Sequence, residues 1–555
     1  MITITIEGAK ARATGQLDTM SIRVISALSG RKVWASSKSV SFESSAGNLR
    51  TIRETLKDRV EWVDKSGELA LIDEMETFAR QDQKAEKAKS KWKPKMKLRA
   101  HQQKCIDISW KRKAYAVLFD MGLGKTALLI ANCGMLFAEG EIDGVLVLAP
   151  KGVDRQWHEE EIKKHADPAF KVNSFMWNGK AFDKSKIKKG QLNFYLMNID
   201  AIRGKGGAAA ADFAKSMNGR CMMIIDESHA IKGHGTQRTK AAIELGKLFS
   251  HRRIATGTPL SKNVMDFFSQ FKFLDERILG QRYASSYRSR YCIMGGFEGR
   301  EIIGVQRLEE LNGLIAPHSF RLTKEEALDL PPKIFIRREY DLDAKSRQHY
   351  NILKKELMTE LSDGTILTVV NAAVKVMRLQ QIVCGYLPRE DGELEAISGQ
   401  RIEELLEIIS SVEGPVIVWA RFKEDIRRIK SALDKARETS VTYYGETSRK
   451  DRDIAKAAFL SDKARVFISN TASGGTGLNL QGKCRNVVYY SNGTNAQQRW
   501  QSEDRTHRDG MEGSVTYFDL VARKTVDVLT ISNIANKKSL SDLTLDQIRK
   551  ALAEN

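Results

Sequence analysis

The sequence predicts an α/β protein with two parallel-sheet lobes and a small N-terminal α+β unit. From residue 98 onward, short apolar runs of strand length alternate with segments of helical periodicity. The alternation is interrupted between residues 262 and 382, where apolar spacing is mostly helical, and then resumes. Alternating strands and helices are typical of parallel sheets covered by crossover helices, and two such blocks indicate two lobes.

The predicted strands divide the chain into successive regions. In the first lobe they are residues 116–119, 145–149, 194–197, 222–225 and 253–255. In the second lobe they are residues 415–419, 441–444, 466–469, 487–490 and 515–520. We therefore expect an accessory domain over 1–78, a basic linker over 79–97, lobe one with a helical insertion over 98–335, a helical insertion with lobe two over 336–530, and C-terminal helices packed on the lobes over 531–555.

The accessory domain is predicted from short patterns. Residues 2–6 alternate between isoleucine and threonine, as a half-buried strand does. The remaining predicted elements are helices at 20–28 and 48–57, a hairpin formed by 33–35 and 39–42, and a strand at 60–63.

Composition narrows the class of protein. Lysine and arginine exceed aspartate and glutamate by 90 − 70 = 20, and this surplus favours a polyanionic partner. No run of 18 apolar residues is present, so we expect no membrane-spanning helix. The six cysteines include no CxxC pair, and the N-terminus lacks a signal-peptide layout. These features argue against a zinc or disulfide framework and favour a cytoplasmic, nucleoid-associated setting.

A strongly basic segment precedes the first lobe. Glu86 is its one acidic residue. Such a run is usually a solvated linker, which is the favoured interpretation, but it could also grip phosphates. Its basic residues are Lys84, Lys87, Lys89, Lys91, Lys93, Lys95, Lys97 and Arg99.

A glycine-rich turn follows the strand predicted at 116–119. Its backbone N–H groups and its lysine can bind a triphosphate, and its threonine hydroxyl can ligate Mg²⁺. The strict pattern begins with glycine, whereas Phe119 occupies that position. The flanking strand and helix still favour a nucleotide site over a turn in which glycine serves geometry alone. The expected nucleotide-binding residues are Gly122, Leu123, Gly124, Lys125 and Thr126, of which Thr126 also binds Mg²⁺.

An acidic pair follows the apolar run 221–225. Asp226 can hold the same Mg²⁺, and Glu227 can polarise the attacking water. An Asp-Glu pair alone could equally be an exposed acidic loop. Together with the phosphate-binding turn, it predicts an enzyme that hydrolyses a nucleoside triphosphate.

Further motifs in the first lobe resemble helicase superfamily two, and more narrowly the Swi/Snf-type DNA translocases. The resemblance covers about residues 98–530. Leu98-Arg99-Ala100-His101-Gln102 resembles the adenine-reading segment, and Ala255-Thr256-Gly257-Thr258-Pro259-Leu260 resembles the motif that couples phosphate state to DNA contact. Arg321-Leu322-Thr323-Lys324, followed by Leu330-Pro331-Pro332-Lys333, is a narrow marker of the family.

This resemblance implies RecA-like lobes, ATP and Mg²⁺ as cofactors, and a catalytic role for Lys125, Asp226 and Glu227. It also implies that Gln102 contacts adenine. The alternative for Gln102 is an ordinary polar residue at the start of a helix.

The second lobe resembles the same family. The run 470–480 and Gln501-Ser502-Glu503-Asp504-Arg505-Thr506-His507-Arg508 are specific matches. They imply that Gly475 and Gln501 lie at the nucleotide and that Arg505 and Arg508 are catalytic. The chain then departs from the family's Ile-Gly-Gln by reading Asp509-Gly510-Met511, which puts the contact of that glutamine in doubt.

Arginine suits the negative charge that develops on phosphate oxygens during transfer. If Arg505 and Arg508 act on ATP held by lobe one, the cleft must close, and turnover is coupled to movement of the lobes. The alternative is surface ion pairing of these arginines with Glu503 or Asp504.

Short hydroxyl residues lie in or beside glycine-bearing turns of both lobes. Such groups contact phosphates without reading bases, so the expected movement along nucleic acid is independent of sequence. Helix capping and turn stabilisation are equally good explanations for these residues. The expected nucleic-acid contacts are Thr256, Thr258, Thr447, Ser448, Thr471 and Ser473.

Residues 1–78 resemble, over a few short stretches, the HARP-type module of annealing helicases. The stretches are Val33-Trp34, Val40-Ser41-Phe42, residues 48–54 and Val60-Glu61-Trp62-Val63. The resemblance implies a role in choosing or processing branched DNA. A generic folding cap or a partner-docking domain is the alternative.

The expected function is an ATP-driven translocase on double-stranded or branched DNA. It would remodel DNA by fork regression, branch migration or strand annealing, with roles in repair or recombination, or displace bound protein. A strand-separating DNA or RNA helicase is one alternative, and a DNA-binding clamp with a vestigial ATP site is another. We expect a monomer from a bacterial or phage setting.

Overall fold

A computed structural model describes most of the chain as two units, Met1–Ala327 and Leu328–Asn555. Each unit contains a parallel sheet, and the first also contains a mixed N-terminal sheet, so the predicted fold class is confirmed. The described residues are 1–28, 32–34, 39–257, 264–296, 301–327, 331–362, 369–389, 393–471, 480, 484–493, 496–507 and 513–535.

The N-terminal sheet has the strand order β3-β4-β2-β1-β5. Its strands are β1 (Ile2–Glu7), β2 (Lys10–Gly15), β3 (Lys32–Trp34), β4 (Ser39–Glu43) and β5 (Val60–Asp64). Its helices are α1 (Thr19–Ser26), α2 (Ala46–Leu56) and α3 (Glu68–Glu86). The alternating isoleucines of β1 pack against Leu49 and Ile52 of α2 to form its core.

The first unit's large sheet has the order β14-β6-β11-β10-β7-β9-β8, with every neighbouring pair parallel. Its strands are β6 (Ala114–Phe119), β7 (Gly144–Ala149), β8 (Val172–Met176), β9 (Leu192–Asn198), β10 (Cys221–Asp226), β11 (His251–Ala255) and β14 (Ser319–Leu322). A separate two-stranded sheet pairs β12 (Cys292–Gly295) with β13 (Glu301–Val305). The strands β6, β7 and β10 are buried along their whole length because helices cover both faces.

The helices of lobe one connect these strands. They are α4 (Ala100–Ser109), α5 (Lys125–Ala138), α6 (Val153–Gln156), α7 (Ile162–His165), α8 (Lys205–Ser216), α9 (Gln237–Gly246), α10 (Met265–Leu274), α11 (Glu276–Leu279), α12 (Ala284–Tyr291), α13 (Leu308–Ile315) and α14 (Lys324–Ala327). A π-helical turn, Trp157–Glu161, separates α6 from α7.

The second unit is built on a parallel sheet of order β15-β22-β21-β18-β20-β19. Its strands are β15 (Lys333–Tyr340), β18 (Val416–Trp419), β19 (Ser440–Tyr443), β20 (Val466–Ser469), β21 (Asn486–Tyr489) and β22 (Val515–Ala522), and a small hairpin pairs β16 (Tyr386–Pro388) with β17 (Leu394–Ala396). Its helices are α15 (Ala344–Ser362), α16 (Val369–Val383), α17 (Gln400–Ser411), α18 (Lys423–Lys435), α19 (Arg449–Leu460), α20 (Ala496–Glu503) and α21 (Val526–Ala535).

Several elements differ from the sequence prediction. Helix α3 continues to Glu86 and so crosses the expected boundary at residue 78. The region 262–330, expected to be helical, also contains β12, β13 and β14. The two units divide after Ala327 rather than after residue 335. The helix expected within 543–552 lies outside the described residues.

Candidate active site

The glycine-rich turn and the acidic pair lie at the same edge of the lobe-one sheet. Strand β11 separates their two strands, and Asp226 of β10 pairs with Ala255, which in turn pairs with Val117 of β6. The two turns therefore leave the sheet at nearly the same level. The carboxyl edge of an open parallel sheet is where ligands usually bind in α/β folds.

The backbone of the glycine-rich turn requires glycine at two positions. Gly122 and Gly124 have φ angles of 86° and 77°, in the left-handed region that side chains disfavour. A β-carbon at Gly124 would also collide with the side-chain nitrogen of Gln102. Helix α5 begins directly afterwards at Lys125, so its free N–H groups open toward the turn.

The ammonium group of Lys125 is bound by the turn itself. Its Nζ donates to the carbonyl oxygens of Phe119 at 2.9 Å and Asp120 at 3.4 Å, and the side chain is buried. A phosphate oxygen would replace these carbonyls as a stronger, charged acceptor. Leu123 is fully buried, whereas Thr126 at the start of α5 is partly exposed.

Asp226 is a buried carboxylate held by two N–H groups. The indole Nε1 of Trp157 donates to Oδ2 at 2.8 Å, and the backbone N–H of Glu227 donates to Oδ1 at 3.0 Å. Burial, and then the neighbouring Glu227, raise the pKa of Asp226 to about 6, against the opposing effects of Trp157 and Lys125. A cation at this carboxylate would therefore be stabilised. The sequence analysis did not predict the role of Trp157. The available signal was its position in the first helical segment after β7.

Glu227 has a strained backbone. Its φ and ψ are both 55°, a left-handed conformation that is uncommon for a residue with a side chain and is concentrated at functional sites. Its Oε2 lies 3.2 Å from Nδ1 of His229. The turn is tied to α10, because Oγ of Ser228 donates to Oε1 of Gln270 at 2.6 Å. The role of Gln270 had no signal in the sequence.

The oxygens of Asp226 and Thr126 suit Mg²⁺, which prefers hard oxygen ligands and is usually held by one or two protein groups together with substrate phosphates. Among the described residues, no group of three or more histidine, cysteine, aspartate or glutamate side chains could form an all-protein metal cage. The residues fit an ion that binds together with a nucleotide.

The side chain of Gln102 forms hydrogen bonds both to the glycine-rich turn and to the start of its own helix. Its Oε1 accepts from the backbone N–H of Arg99 at 2.8 Å, and its Nε2 donates to the carbonyl of Gly124 at 2.9 Å. The side chain is buried. One N–H and one lone pair of the amide remain for a base. Gln102 therefore couples the start of α4 to the phosphate-binding turn.

The expected nucleic-acid contacts are placed unevenly. Thr256 is fully buried and donates its backbone N–H to Val117, so a direct phosphate contact is closed to its side chain in this structure. Thr258 and Ser473 lie outside the described residues. Ser448 is exposed and caps α19 by accepting from the N–H of Asp451. Thr447 stabilises the preceding turn by accepting from Tyr444, and Thr471 is half-buried.

The lobe-two arginine motif is partly described. Gln501 and Arg505 are half-buried at the end of α20, while Arg508 and Gly475 lie outside the described residues. The same helix carries Arg499, a buried residue that sequence analysis did not single out. Its guanidinium is bound to Asp519 and Glu503, which fixes α20 to β22.

Comparison with known proteins identifies the family. The family model described as SNF2-related domain matches residues 101–386, just over half of the 555 residues. The model described as helicase conserved C-terminal domain matches residues 400–510. Among the described residues, no helix is long and apolar enough to cross a membrane.

Similar proteins come from phage, bacteria and eukaryotes. Protein p41 of Acyrthosiphon pisum secondary endosymbiont phage 1 is 26% identical over 450 residues, which cover 78% of this chain and 94% of that protein. YwqA of Bacillus subtilis, named as a candidate ATP-dependent helicase/translocase, is 25% identical over 76% of this chain and 45% of its own length. A human SWI/SNF-related regulator of chromatin, subfamily A member 1, is 25% identical over 78% of this chain and 41% of its own length.

A solved structure, the Sulfolobus solfataricus SWI2/SNF2 ATPase core in complex with dsDNA, is 24% identical with a TM-score of 0.37, covering 83% of this chain and 95% of that one. The chain thus spans nearly all of the phage protein but less than half of the other two named relatives. From the domain matches, the chain belongs to the SNF2-related family of ATPases.

Proposed function

We propose that the chain is an ATP- and Mg²⁺-dependent translocase on double-stranded DNA that remodels DNA or displaces bound protein. The observation that carries this proposal is the placement of Lys125 and the Asp226–Glu227 pair at one sheet edge. Membership of the SNF2-related family and the name of the Bacillus relative support the choice of translocation.

The residues have distinct roles in this proposal. Lys125 and the N–H groups of the turn bind the phosphates, Asp226 and Thr126 hold Mg²⁺, and Glu227 accepts a proton from the attacking water. The strained backbone of Glu227 and its contact with His229 fix the direction of its carboxylate. Arg505 and Arg508 stabilise charge on the transferred phosphoryl group.

Five of the six residues that the sequence predicts to contact nucleic acid are kept in the proposal. The exposed Ser448 and the partly exposed Thr447 and Thr471 are retained, together with Thr258 and Ser473, as contacts to phosphates rather than to bases. Thr256 is left out because its side chain is fully buried. Without base contacts, movement would be independent of DNA sequence.

The accessory domain, residues 1–78 in the expected division, is proposed to act on branched DNA in the manner that its HARP-like stretches imply. Fork regression, branch migration and strand annealing are the candidate activities. A role in repair or recombination and a phage or bacterial setting complete the proposal, the latter supported by the phage relative.

The test is ATP hydrolysis measured with double-stranded, single-stranded and forked DNA and with RNA. The proposal expects double-stranded DNA to stimulate turnover at least as strongly as RNA does. Stimulation by RNA alone, or by none of these, would reject it.

Translocation is then separated from strand separation. On one duplex carrying a third strand, a translocase displaces the third strand while leaving the duplex paired. Unwinding of a plain duplex at the same rate would favour the alternative of a strand-separating helicase.

A further inference from the structure

The basic segment between α3 and α4 is docked on lobe one. The carboxylate of Glu139 accepts from Oγ of Ser90 at 2.6 Å and from the backbone N–H of Lys91 at 2.8 Å. The carboxylate of Asp167 accepts from the backbone N–H of Lys95 at 2.6 Å. Two acidic residues of lobe one thus bind the main chain of a lysine-rich segment, and these hydrogen bonds do not involve its lysine side chains.

Aromatic contacts fix the same segment. The ring of Trp92 lies 5.8 Å from that of Phe170, and the indole of Trp110 donates to the carbonyl of Ala88 at 2.9 Å. The expectation of a solvated linker therefore does not describe residues 88–98, which we call the basic strap. Its path over lobe one is set by hydrogen bonds and packing at both ends.

Exposure alternates along the basic strap with a period of two. This is the pattern of an extended chain with one face on the protein. Pro94 favours it, because a residue before proline is held in an extended conformation. The exposed residues are Lys89, Lys91, Lys93, Lys95 and Lys97, and the partly buried ones between them are Ser90, Trp92, Pro94, Met96 and Leu98.

The charges of the exposed row are not neutralised by the protein. In the described part of the chain, no ion pair joins any of these lysines to a carboxylate, whereas the nearby Glu86 is bound to the buried Arg112. Glu139 and Asp167 act on the main chain instead. Holding like charges in one row costs free energy that a polyanion would recover.

We propose that the basic strap binds the sugar-phosphate backbone of duplex DNA, as a contact separate from the translocase motifs. The eight residue-to-residue steps from Lys89 to Lys97 span at most about 29 Å when extended, which matches the rise of about eight base pairs at 3.4 Å each. Lysine ammonium groups are point contacts for phosphates and carry no sequence preference. Because the apolar side chains of the strap face the protein, it has no group to insert into a membrane.

The proposal rests on the DNA partner of the proposed function, and its test separates the two. In one variant, Lys89, Lys91, Lys93 and Lys95 are each changed to Gln. The matched control changes four exposed or partly exposed lysines elsewhere on lobe one to Gln, with the same loss of charge: Lys180, Lys184, Lys188 and Lys189. Binding of fluorescent duplex DNA is measured between 50 and 300 mM salt, alongside ATP hydrolysis without DNA.

The strap variant should bind duplex DNA at least about tenfold more weakly at low salt. The magnitude of the slope of log K against log salt should fall by up to about 3.6, since each of the four phosphate contacts contributes about 0.9. The control should change the slope by less than about 1, and hydrolysis without DNA should be unchanged in both. Equal slopes for strap variant and wild type, with DNA binding intact, would overturn the strap and leave the proposed function standing. Loss of DNA binding by all proteins, wild type included, would reject the proposed function instead.

A second variant tests whether DNA affinity depends on docking of the strap on lobe one as well as on its charge. Glu139→Ala with Asp167→Ala removes two negative charges, so net charge alone predicts tighter DNA binding. The strap proposal expects binding about threefold or more weaker, because a mobile strap must be ordered on DNA at a cost in entropy. Tighter binding would show that only overall charge matters. Preferential binding of the strap to vesicles of anionic lipid or to an acidic peptide, over duplex DNA, would assign the surface to another partner.

Discussion

Both edges of the lobe-one sheet contain buried charged side chains, but the contacts of these side chains differ between the two edges. At the carboxyl edge, Asp226 and Glu227 lie side by side, and Lys125 is turned toward main-chain carbonyls. At the amino edge, the buried Arg112 is bound to Asp82 at 3.0 Å, to Glu86 and to the carbonyl of Pro317.

This difference separates a binding site from an anchor. At the amino edge, Asp82, Glu86 and the carbonyl of Pro317 bind the guanidinium, so carboxylates of the protein itself compensate its charge. At the carboxyl edge, burial, and then the neighbouring Glu227, raise the pKa of Asp226 to about 6, and a cation bound together with phosphates would offset this buried negative charge. Substitutions at the carboxyl edge should therefore lower turnover, and substitutions at the amino edge should lower stability.

The largest effect is expected at the carboxyl edge. Lys125→Ala and Glu227→Gln should each lower ATP turnover about 10³- to 10⁴-fold, because both remove groups that act on the phosphates or the water. Affinity for duplex DNA should stay within about threefold. Steady-state ATPase assays and DNA titrations measure the two quantities, with the exposed Lys104→Ala as control. Near-normal hydrolysis by Glu227→Gln would remove it from the role of general base.

Two arginine sites of lobe two extend the comparison. Arg508→Ala should lower turnover about 10³-fold while ATP still binds, as for an arginine that stabilises transferred charge. Arg499→Met should instead destabilise the protein, because Asp519 would be left buried without its partner. Turnover at saturating ATP and thermal unfolding of both variants separate these outcomes. Weaker ATP binding by Arg508→Ala with unchanged maximal turnover would place it in ground-state binding.

Much of this contrast was accessible from sequence. The buried strands β7, β10 and β20 are apolar runs, with a polar residue only at the last position of β10 and β20, and the glycine-rich turn and acidic pair have strong local patterns. Strand β2 gave little signal, because its Lys-Ala-Arg-Ala repeat lacks the branched and aromatic residues typical of strands. Strand β14 has only four residues and is defined by pairing with β6, which is distant in sequence.

Pairwise contacts were beyond the reach of sequence. Trp157 and Asp226 are 69 positions apart, and Arg112 and Pro317 are 205 apart. The same limit explains Thr256, which was expected to contact phosphate but is buried directly after β11, where its backbone N–H donates to Val117 of β6. A hydroxyl residue beside a glycine indicates a turn, but the packing of neighbouring strands decides whether it meets solvent.

Substitution of Arg112, the anchor at the amino edge, should lower the free energy of unfolding. Arg112→Met leaves Asp82 buried without its partner and should destabilise the first unit by about 3–5 kcal/mol. Arg220→Met breaks the exposed pair with Asp143 and should leave stability almost unchanged, because solvent screens exposed ion pairs. Thermal or urea unfolding of both variants tests the difference. The double variant Arg112→Met with Asp82→Leu should recover part of the loss, and no recovery would show that the pair is not coupled.

The same contacts alter the expected result of truncation. A chain that begins at Lys95 would lose Asp82, Glu86 and the carbonyl that accepts from Trp110, so we expect it to be destabilised. A chain that begins at Glu68 keeps all of α3 and should retain ATPase activity. Equal stability of the two chains by thermal unfolding would show that α3 is dispensable for lobe one.

The smallest expected effect concerns pH and the junction at the start of α3. Burial raises the pKa of Glu68 to about 7, although Arg282, whose Nη1 lies 3.6 Å from Oε1, opposes this. Between about pH 4.5 and 7 the folded protein therefore binds more protons at this site than the unfolded chain does. Stability at the junction should therefore fall as pH rises through this window.

Glu68→Gln tests this sign, because the amide keeps the shape and stays neutral. In the variant, the decline in stability between pH 5 and 7 should flatten, whereas Glu54→Gln, an exposed substitution on α2, should leave the decline as in wild type. Hydrogen exchange of amides in β1 and α2 at several pH values reports the local stability. Glu68→Gln should not change the rate of ATP hydrolysis at pH 5 or at pH 7, because Glu68 packs at the junction with Arg282 and not at the carboxyl edge. A variant that shows the wild-type pH dependence would assign the decline to other groups.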